Sequence, residues 1–177
     1  MSSATLTKDA STKAPGGRGG KYLTFALGKE EYGLEILKVR EIIGYMEITS
    51  VPRMPAHVRG VINLRGQVIS VIDLRAKFGM SSATKTDETC IIVVEIHEGS
   101  QRFHCGIVVD HVSEVLNIHE EQIEDAPTLG SSVRTDFITG MGKVNGSVKI
   151  LLNLDQVLAS SDVVNPNTEP KAASDSI

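Results

Sequence analysis

An all-β fold is predicted, as small barrels or a sandwich, and three observations predict it. Short runs rich in Val, Ile and Leu recur along the chain, divided by turns rich in glycine and asparagine. Aromatic residues are scarce, with four Phe, three Tyr and no Trp, so the core rests on aliphatic side chains that suit strands. Nowhere do strands alternate with long helical patterns, the mark of a βαβ unit.

Taken in order, residues 1–20 are small, polar and glycine-rich and read as a disordered tail. Residues 21–28 alternate, with Leu23, Phe25 and Leu27 on one face, and predict a half-buried strand. A turn at 28–31 leads into a partner strand at 32–36. Over 37–43 the period changes. Ile36, Val39 and Ile43 fall at i, i+3 and i+7, which predicts a short helix ended by Gly44. A short strand is expected at 47–51, and Pro52 and Pro55 bracket a loop.

Two strand-forming runs, 58–64 and 67–74, flank Arg65-Gly66. A glycine in so short a connection permits positive φ and predicts a tight hairpin with Arg65 at its tip. Asn63 is expected to share the face of Arg65. Gly60, inside the strand, marks a close approach of another backbone. One helical turn is expected at 74–78 and a loop at 80–88.

Residues 90–96 are apolar on both faces, as in a strand covered on both sides. A turn at 98–100 precedes an alternating strand through Phe103, Cys105, Ile107 and Val109, and 112–118 continues as a third. Asn117 and Glu120 have the spacing of a capping box before a short helix at 120–123. An irregular loop is expected at 127–135. Asn145-Gly146 between 137–144 and 147–152 is the strongest hairpin signal in the chain. Asn153 is expected to cap a short helix, and from 161 the chain again reads as a disordered tail. The strand-rich middle divides near 80–89 into two halves, each suited to a small barrel, and segments near the termini can cross between them. No sequence repeat is evident.

The length, 177 residues, allows one domain or two small packed ones. Net charge is −4, and with tails of +2 and −2 the middle keeps −4. An acidic middle with few aromatics argues against a barrel that tracks nucleic-acid phosphates. No apolar run reaches the ~20 residues of a membrane span, and no signal-peptide core is seen, so a cytosolic protein is expected. Cys90 and Cys105 lie in apolar runs and are expected as buried free thiols.

The search for chemistry returns no site. His57, His97, His104, His111 and His119 lack metal-ligand spacing, so no metal and no cofactor are expected. Asp110, His111 and Ser113 could supply a hydrolytic set, but adjacent strand residues diverge and no nucleophile elbow exists. Gly140-Met-Gly142-Lys143 lacks the spacer of a phosphate loop. No catalytic residue is assigned. Arg65, held out on a hairpin with Glu41 as an available opposite charge, is instead the leading recognition residue.

Several segments resemble the CheW family of bacterial chemotaxis coupling proteins. They are Tyr22-Leu-Thr-Phe-Ala-Leu-Gly28, Glu31-Tyr-Gly33, Ile36-Leu-Lys-Val-Arg-Glu-Ile42, Pro55-Ala56, Gly60-Val-Ile-Asn-Leu-Arg-Gly66, Val71-Ile-Asp-Leu74, Gly106-Ile-Val-Val-Asp110, Val112-Ser-Glu-Val-Leu116 and Thr139-Gly-Met-Gly142. The match spans about residues 21–160. It implies two small five-stranded barrels of the SH3 type around a shared apolar layer, and a non-enzymatic adaptor. Such an adaptor would couple chemoreceptor tips to the regulatory domain of the histidine kinase CheA, in arrays at the inner face of the membrane.

Transferred by position, the family's receptor contacts fall on Val39, Glu41, Gly60, Asn63, Arg65 and Gly66. Kinase contacts are expected at Val112 and Val115 in the second half and around Tyr32 in the first. A kinase-regulatory module acting without a receptor, or the coupler of a paralogous array such as one for surface motility, are the alternatives.

Overall fold

The computed structural model describes residues 17–98, 100–126 and 137–158. The tails expected at 1–20 and 161–177 fall outside it except for 17–20, as does the loop expected at 127–135. Eleven strands build two sheets among the described residues. They are β1 (Gly20–Leu27), β2 (Glu30–Glu35), β3 (Val39–Gly44), β4 (Val58–Leu64), β5 (Gln67–Asp73), β6 (Cys90–Glu98), β7 (Gln101–Val109), β8 (His111–Ile118), β9 (Ile123–Glu124), β10 (Ile138–Val144) and β11 (Ser147–Leu152). One sheet runs β8-β1-β2-β11-β10-β9 and the other β3-β6-β7-β5-β4. Two single-turn helices follow β5 and β11: α1 (Leu74–Lys77) and α2 (Leu154–Val157).

The period of two along each strand sorts the aliphatic residues into three apolar layers. On β6, Ile92, Val94 and Ile96 join Leu23, Phe25, Leu27 and Leu34 in the largest cluster, which lies between the sheets. Ile91 and Val93 point the other way, into a cluster with Ile62, Ile69 and Val71. Tyr22, Ile118, Ile123, Val144 and Leu151 form the third, on the far side of β1 and β11. Each such buried side chain contributes roughly 1.5–3 kcal/mol. Thr24, fully buried, is satisfied by the backbone of Glu114: its Oγ1 donates to the carbonyl at 2.8 Å and accepts from the N–H at 3.2 Å.

The chain joins the outer edges of each sheet. After β3 it crosses to β4, where Thr49 and Val61 exchange two backbone hydrogen bonds of 2.9 Å. After β8 it crosses to β10, where β9 pairs with Met141 and Gly142. The two sheets have one topology. In β3-β6-β7-β5-β4 and in β8-β1-β2-β11-β10 the successive pairings are antiparallel, antiparallel, parallel, antiparallel. The second follows the chain order of the first if it is entered at β8 and the break between β11 and β1 is closed. Bulges recur at matching places, Val58/Gly60 and Ile138/Gly140. Fold similarity without sequence repetition is thus present as a circular permutation.

The expected boundary at 80–89 is not where the sheets divide, because 80–89 links strands of one sheet. The chain changes sheets at 36–38 and again at Asp110. The helix expected at 37–43 is a 3-10 turn, Ile36–Lys38, followed by strand β3. The helical spacing came from a turn plus a bulge between Val39 and Glu41. Across that bulge Val39 packs on the inter-sheet cluster and Ile43 on the opposite one, so the two share no face. The strand expected at 47–51 is the single bridge at Thr49. Asn117 remains in the β1–β8 ladder, so the cap moves to His119, whose N–H donates to Gln122 Oε1 at 2.7 Å at the head of the turn Glu120–Gln122. Asn153 takes the cap position of α2 without a side-chain hydrogen bond. The tail expected through residue 20 ends earlier: the Arg18 guanidinium donates to Asp125 at 2.8 Å and to the Thr139 carbonyl at 3.3 Å.

Candidate functional site

The β4–β5 hairpin turns on Arg65 and Gly66, with φ of 53° and 85°. Two successive positive φ values define a type I′ turn, whose twist matches that of the strands. Asn145 and Gly146 make the corresponding turn between β10 and β11, with φ of 51° and 81°. Asn suits that first position; an arginine there has no such preference. Asn63 Oδ1 accepts from the Gly66 N–H at 2.8 Å and braces the turn from inside. A Cβ added to Gly66 would meet nothing within 4 Å, so this glycine serves backbone conformation alone.

Arg65 reaches from this tip to Glu41 on β3, at the opposite edge of the same sheet. Its NH1 and NH2 donate to the two carboxylate oxygens at 2.6 and 2.7 Å. The fork fixes the guanidinium plane while 71% of the side chain stays exposed. Arg65 holds the Glu41 carboxyl below the usual carboxylate range. Such an exposed pair adds little to stability, but it pre-orients a cation that has unused N–H donors.

Gly60 has a different task. It is buried with φ 144°, and an added Cβ would lie inside contact distance of the Thr49 carbonyl oxygen and 2.7 Å from its carbon. It is the close approach that a glycine within a strand implied. Val39 packs on the inter-sheet cluster at the foot of β3, across the bulge from Glu41. The structure therefore brings Arg65, Glu41, Asn63 and Gly66 together, makes Gly60 a structural residue against the crossing segment at Thr49, and sets Val39 on another face.

Of the residues expected to meet the kinase, Val115 is 49% exposed on β8, an edge strand of the six-stranded sheet. Val112 is half-buried against the inter-sheet cluster. Tyr32 cannot dock a partner with its ring. It is 4% exposed and stacked between Phe25 and Phe78 at centroid distances of 5.8 and 5.7 Å. Its place in β2, between β1 and β11, buries the ring. Sequence reading also missed the Arg75–Asp110 pair, with bonds of 3.0 and 2.7 Å, and the carboxylate of Asp110 accepting from the Gly28 N–H at 2.8 Å. These tie the point where the chain changes sheets to α1 and to the β1–β2 turn. Among the described residues no group of His, Cys, Asp and Glu could hold a metal ion, and no helix is long and apolar enough to cross a membrane.

A family model described as a CheW-like domain matches residues 21–162. The chain is 40% identical over 145 residues to the chemotaxis protein CheW of Klebsiella aerogenes, covering 82% of this chain and 85% of that protein. It is 34% identical over 157 residues to the CheW of Rhizobium meliloti, covering 89% and 97%. The crystal structure of the scaffolding protein TtCheW from Thermoanaerobacter tengcongensis superposes with a TM-score of 0.71 at 35% identity, covering 86% of this chain and 99% of that one. Two sheets packed around a shared core agree with these likenesses, and the chain belongs to the CheW-like family of chemotaxis scaffold proteins, which are not enzymes.

Proposed function

We propose that the protein couples the cytoplasmic tips of chemoreceptors to the histidine kinase CheA, within arrays at the inner face of the cytoplasmic membrane. The observation that carries this reading is Arg65, held on a type I′ turn and oriented by both oxygens of Glu41, with most of its side chain in water. Arg65 and Glu41 form the polar part of the receptor-binding surface. Asn63 and Gly66 shape the turn, Gly60 admits the crossing segment at Thr49, and Val39 sets the start of β3. A helical receptor tip laid against this face would meet one fixed guanidinium, a residue type over-represented among binding hot spots.

The kinase's regulatory domain meets the open edge of β8 around Val115, with Val112 supporting that strand from beneath. The test is co-sedimentation with receptor-bearing membranes, with and without kinase. Arg65→Glu is expected to lose receptor-dependent pelleting while its circular dichroism spectrum stays unchanged. Pelleting of that variant at the parent level would overturn the receptor assignment.

A further inference from the structure

Among the described residues, Glu95 on β6 is the only carboxylate in a group of four basic side chains. It is 9% exposed. Arg40 on β3 donates through Nε to Oε1 at 2.8 Å and adds a second contact to the same oxygen through NH2. Arg102 NH1 lies 3.5 Å from Oε2. His97 Nε2 stands 3.4 Å from Oε2, and His104 Nε2 3.5 Å from Oε1. The ladder explains the gathering: Glu95 faces His104 and His97 faces Arg102 across β6 and β7, so all four lie on one face. That face is apolar further along, at Ile91 and Val93, and becomes polar where the barrel opens.

Two described acids next to this group are already matched. Asp155 takes the His97 N–H at 3.1 Å on one oxygen and Lys38 Nζ at 3.0 Å on the other, and Glu41 holds Arg65. Two guanidinium charges therefore stand against one carboxylate, with two imidazoles beside them, on a chain whose net charge is −4. Arg102 is 66% exposed and uses its five donors for a single long contact, so most of its hydrogen-bonding capacity faces water.

We propose that this end of the five-stranded barrel is a docking surface for an acidic segment of a partner protein, whose carboxylates are received by Arg102, Arg40, His97 and His104. Charge complementarity selects the occupant. The central Glu95 repels a dianion such as phosphate, and the acidic body of the chain repels a long polyanion, whereas single carboxylates spaced along a peptide meet the outward guanidinium edges. Leu37, almost fully exposed on the turn packed beside β6, offers an apolar contact, so an amphipathic acidic segment fits best. The start of β3, the end of β6 and the start of β7 lie at the same end of the sheet as the Arg65 turn. The surface thus extends the proposed receptor face, and only the identity of the partner rests on that reading.

The probe is a synthetic helical peptide of Glu and Leu, titrated into the full chain labelled with 15N, with a Lys-and-Leu peptide as control. Expected are shifts at the Arg40 and Arg102 Nε–H groups and the His97 and His104 rings, for the acidic peptide alone, weakening as salt screens the charges. Arg102→Glu should weaken binding about tenfold or more, a size typical of a charged contact. Arg102→Gln, which adds no carboxylate, should give a smaller loss in the same direction. Glu95→Gln should tighten binding, a sign that a merely structural role for the cluster does not produce. Shifts elsewhere, equal response to the basic peptide, or indifference to Arg102→Glu overturn the surface. Tighter peptide binding after deletion of residues 159–177 would make that segment the occupant and overturn the partner assignment. The membrane assay separates the two readings. Pelleting lost by Arg65→Glu but kept by Arg102→Glu sinks this surface alone, and the reverse pattern sinks the role of Arg65 alone.

Discussion

Gly60→Ala is expected to unlatch the five-stranded barrel. The added Cβ would run into the Thr49 carbonyl, and a residue other than glycine at φ 144° is strained whatever the space. The obstruction is backbone, so no rotamer relieves it; the crossing segment must lift. Lifting breaks the two hydrogen bonds between Thr49 and Val61, worth about 1 kcal/mol each, and whatever strain remains adds roughly 1–3 kcal/mol. The sum, about 3–5 kcal/mol, corresponds to a fall in melting temperature of roughly 10 °C for a chain of this size. Gly66→Ala is the internal control, because its Cβ would meet open space and only the φ of 85° is unfavourable, a loss of about 1 kcal/mol. At Gly140, the counterpart in the other barrel, the nearest obstacles are the Ile123 Cγ2 atom at 2.6 Å and the Glu124 carbonyl oxygen at 3.0 Å, with no positive φ to add strain, so the effect should be intermediate. Calorimetry gives the order, and amide exchange at Thr49 and Val61 shows whether the bridge opens. A Gly60→Ala melting temperature no lower than that of Gly66→Ala would refute the reasoning.

Three further outcomes are expected. Asp110 has its carboxyl held below the ordinary range first by the Arg75 guanidinium and also by the Gly28 N–H. Its contribution is therefore present above the unfolded aspartate value of about 3.9 and is lost as pH falls through the lower folded value. Thermal melts between neutral pH and about pH 2 should show Asp110→Asn less stable than the parent at neutrality and the gap closing below about pH 4. Val115→Asp should weaken capture of the kinase regulatory domain about tenfold or more without moving the melting temperature, whereas Tyr32→Phe should leave capture unchanged; surface plasmon resonance with the isolated kinase domain checks both. Arg65→Lys keeps the charge but not the planar fork, so receptor pelleting should fall between that of the parent and that of Arg65→Glu.

Local chemistry was legible in the sequence wherever one residue dictated one conformation. Arg65-Gly66 and Asn145-Gly146 both marked type I′ hairpins, and Gly60 marked a close backbone approach. The residues between Ile36 and Ile43 misled, because a 3-10 turn and a bulge together imitate a helical period. The parallel pairings β5–β7 and β11–β2 left no local trace, since each joins segments far apart in the chain. The permuted likeness of the barrels was invisible for the same reason: it resides in pairing order and not in residue identity. At the candidate site, Glu41 was legible as an opposite charge for Arg65 and their receptor role was implied by the family resemblance, but the burial of Tyr32 follows from having strands on both sides of β2. The ring around Glu95 needed the β6–β7 register, which aligns residues nine and five apart across a hairpin, Glu95 with His104 and His97 with Arg102.

Comparing equivalent places in the two barrels locates what is specific to each. Both close by a crossing segment laid over a glycine, and both carry a type I′ turn on the corresponding hairpin. At that turn one barrel has Asn145, which the conformation favours, and the other has Arg65, which it does not. Closure does not require the arginine, since the six-stranded sheet closes with an asparagine in its place. The Arg65–Glu41 pair is therefore better understood as orientation than as stability. Glu41 occupies one edge of the guanidinium and leaves the rest facing outward, so a partner can bind without breaking the pair. The corresponding edge strand of the other barrel, β8, carries the exposed Val115 beside an exposed Glu114. One construction used twice thus presents two differently furnished edge strands on a common core.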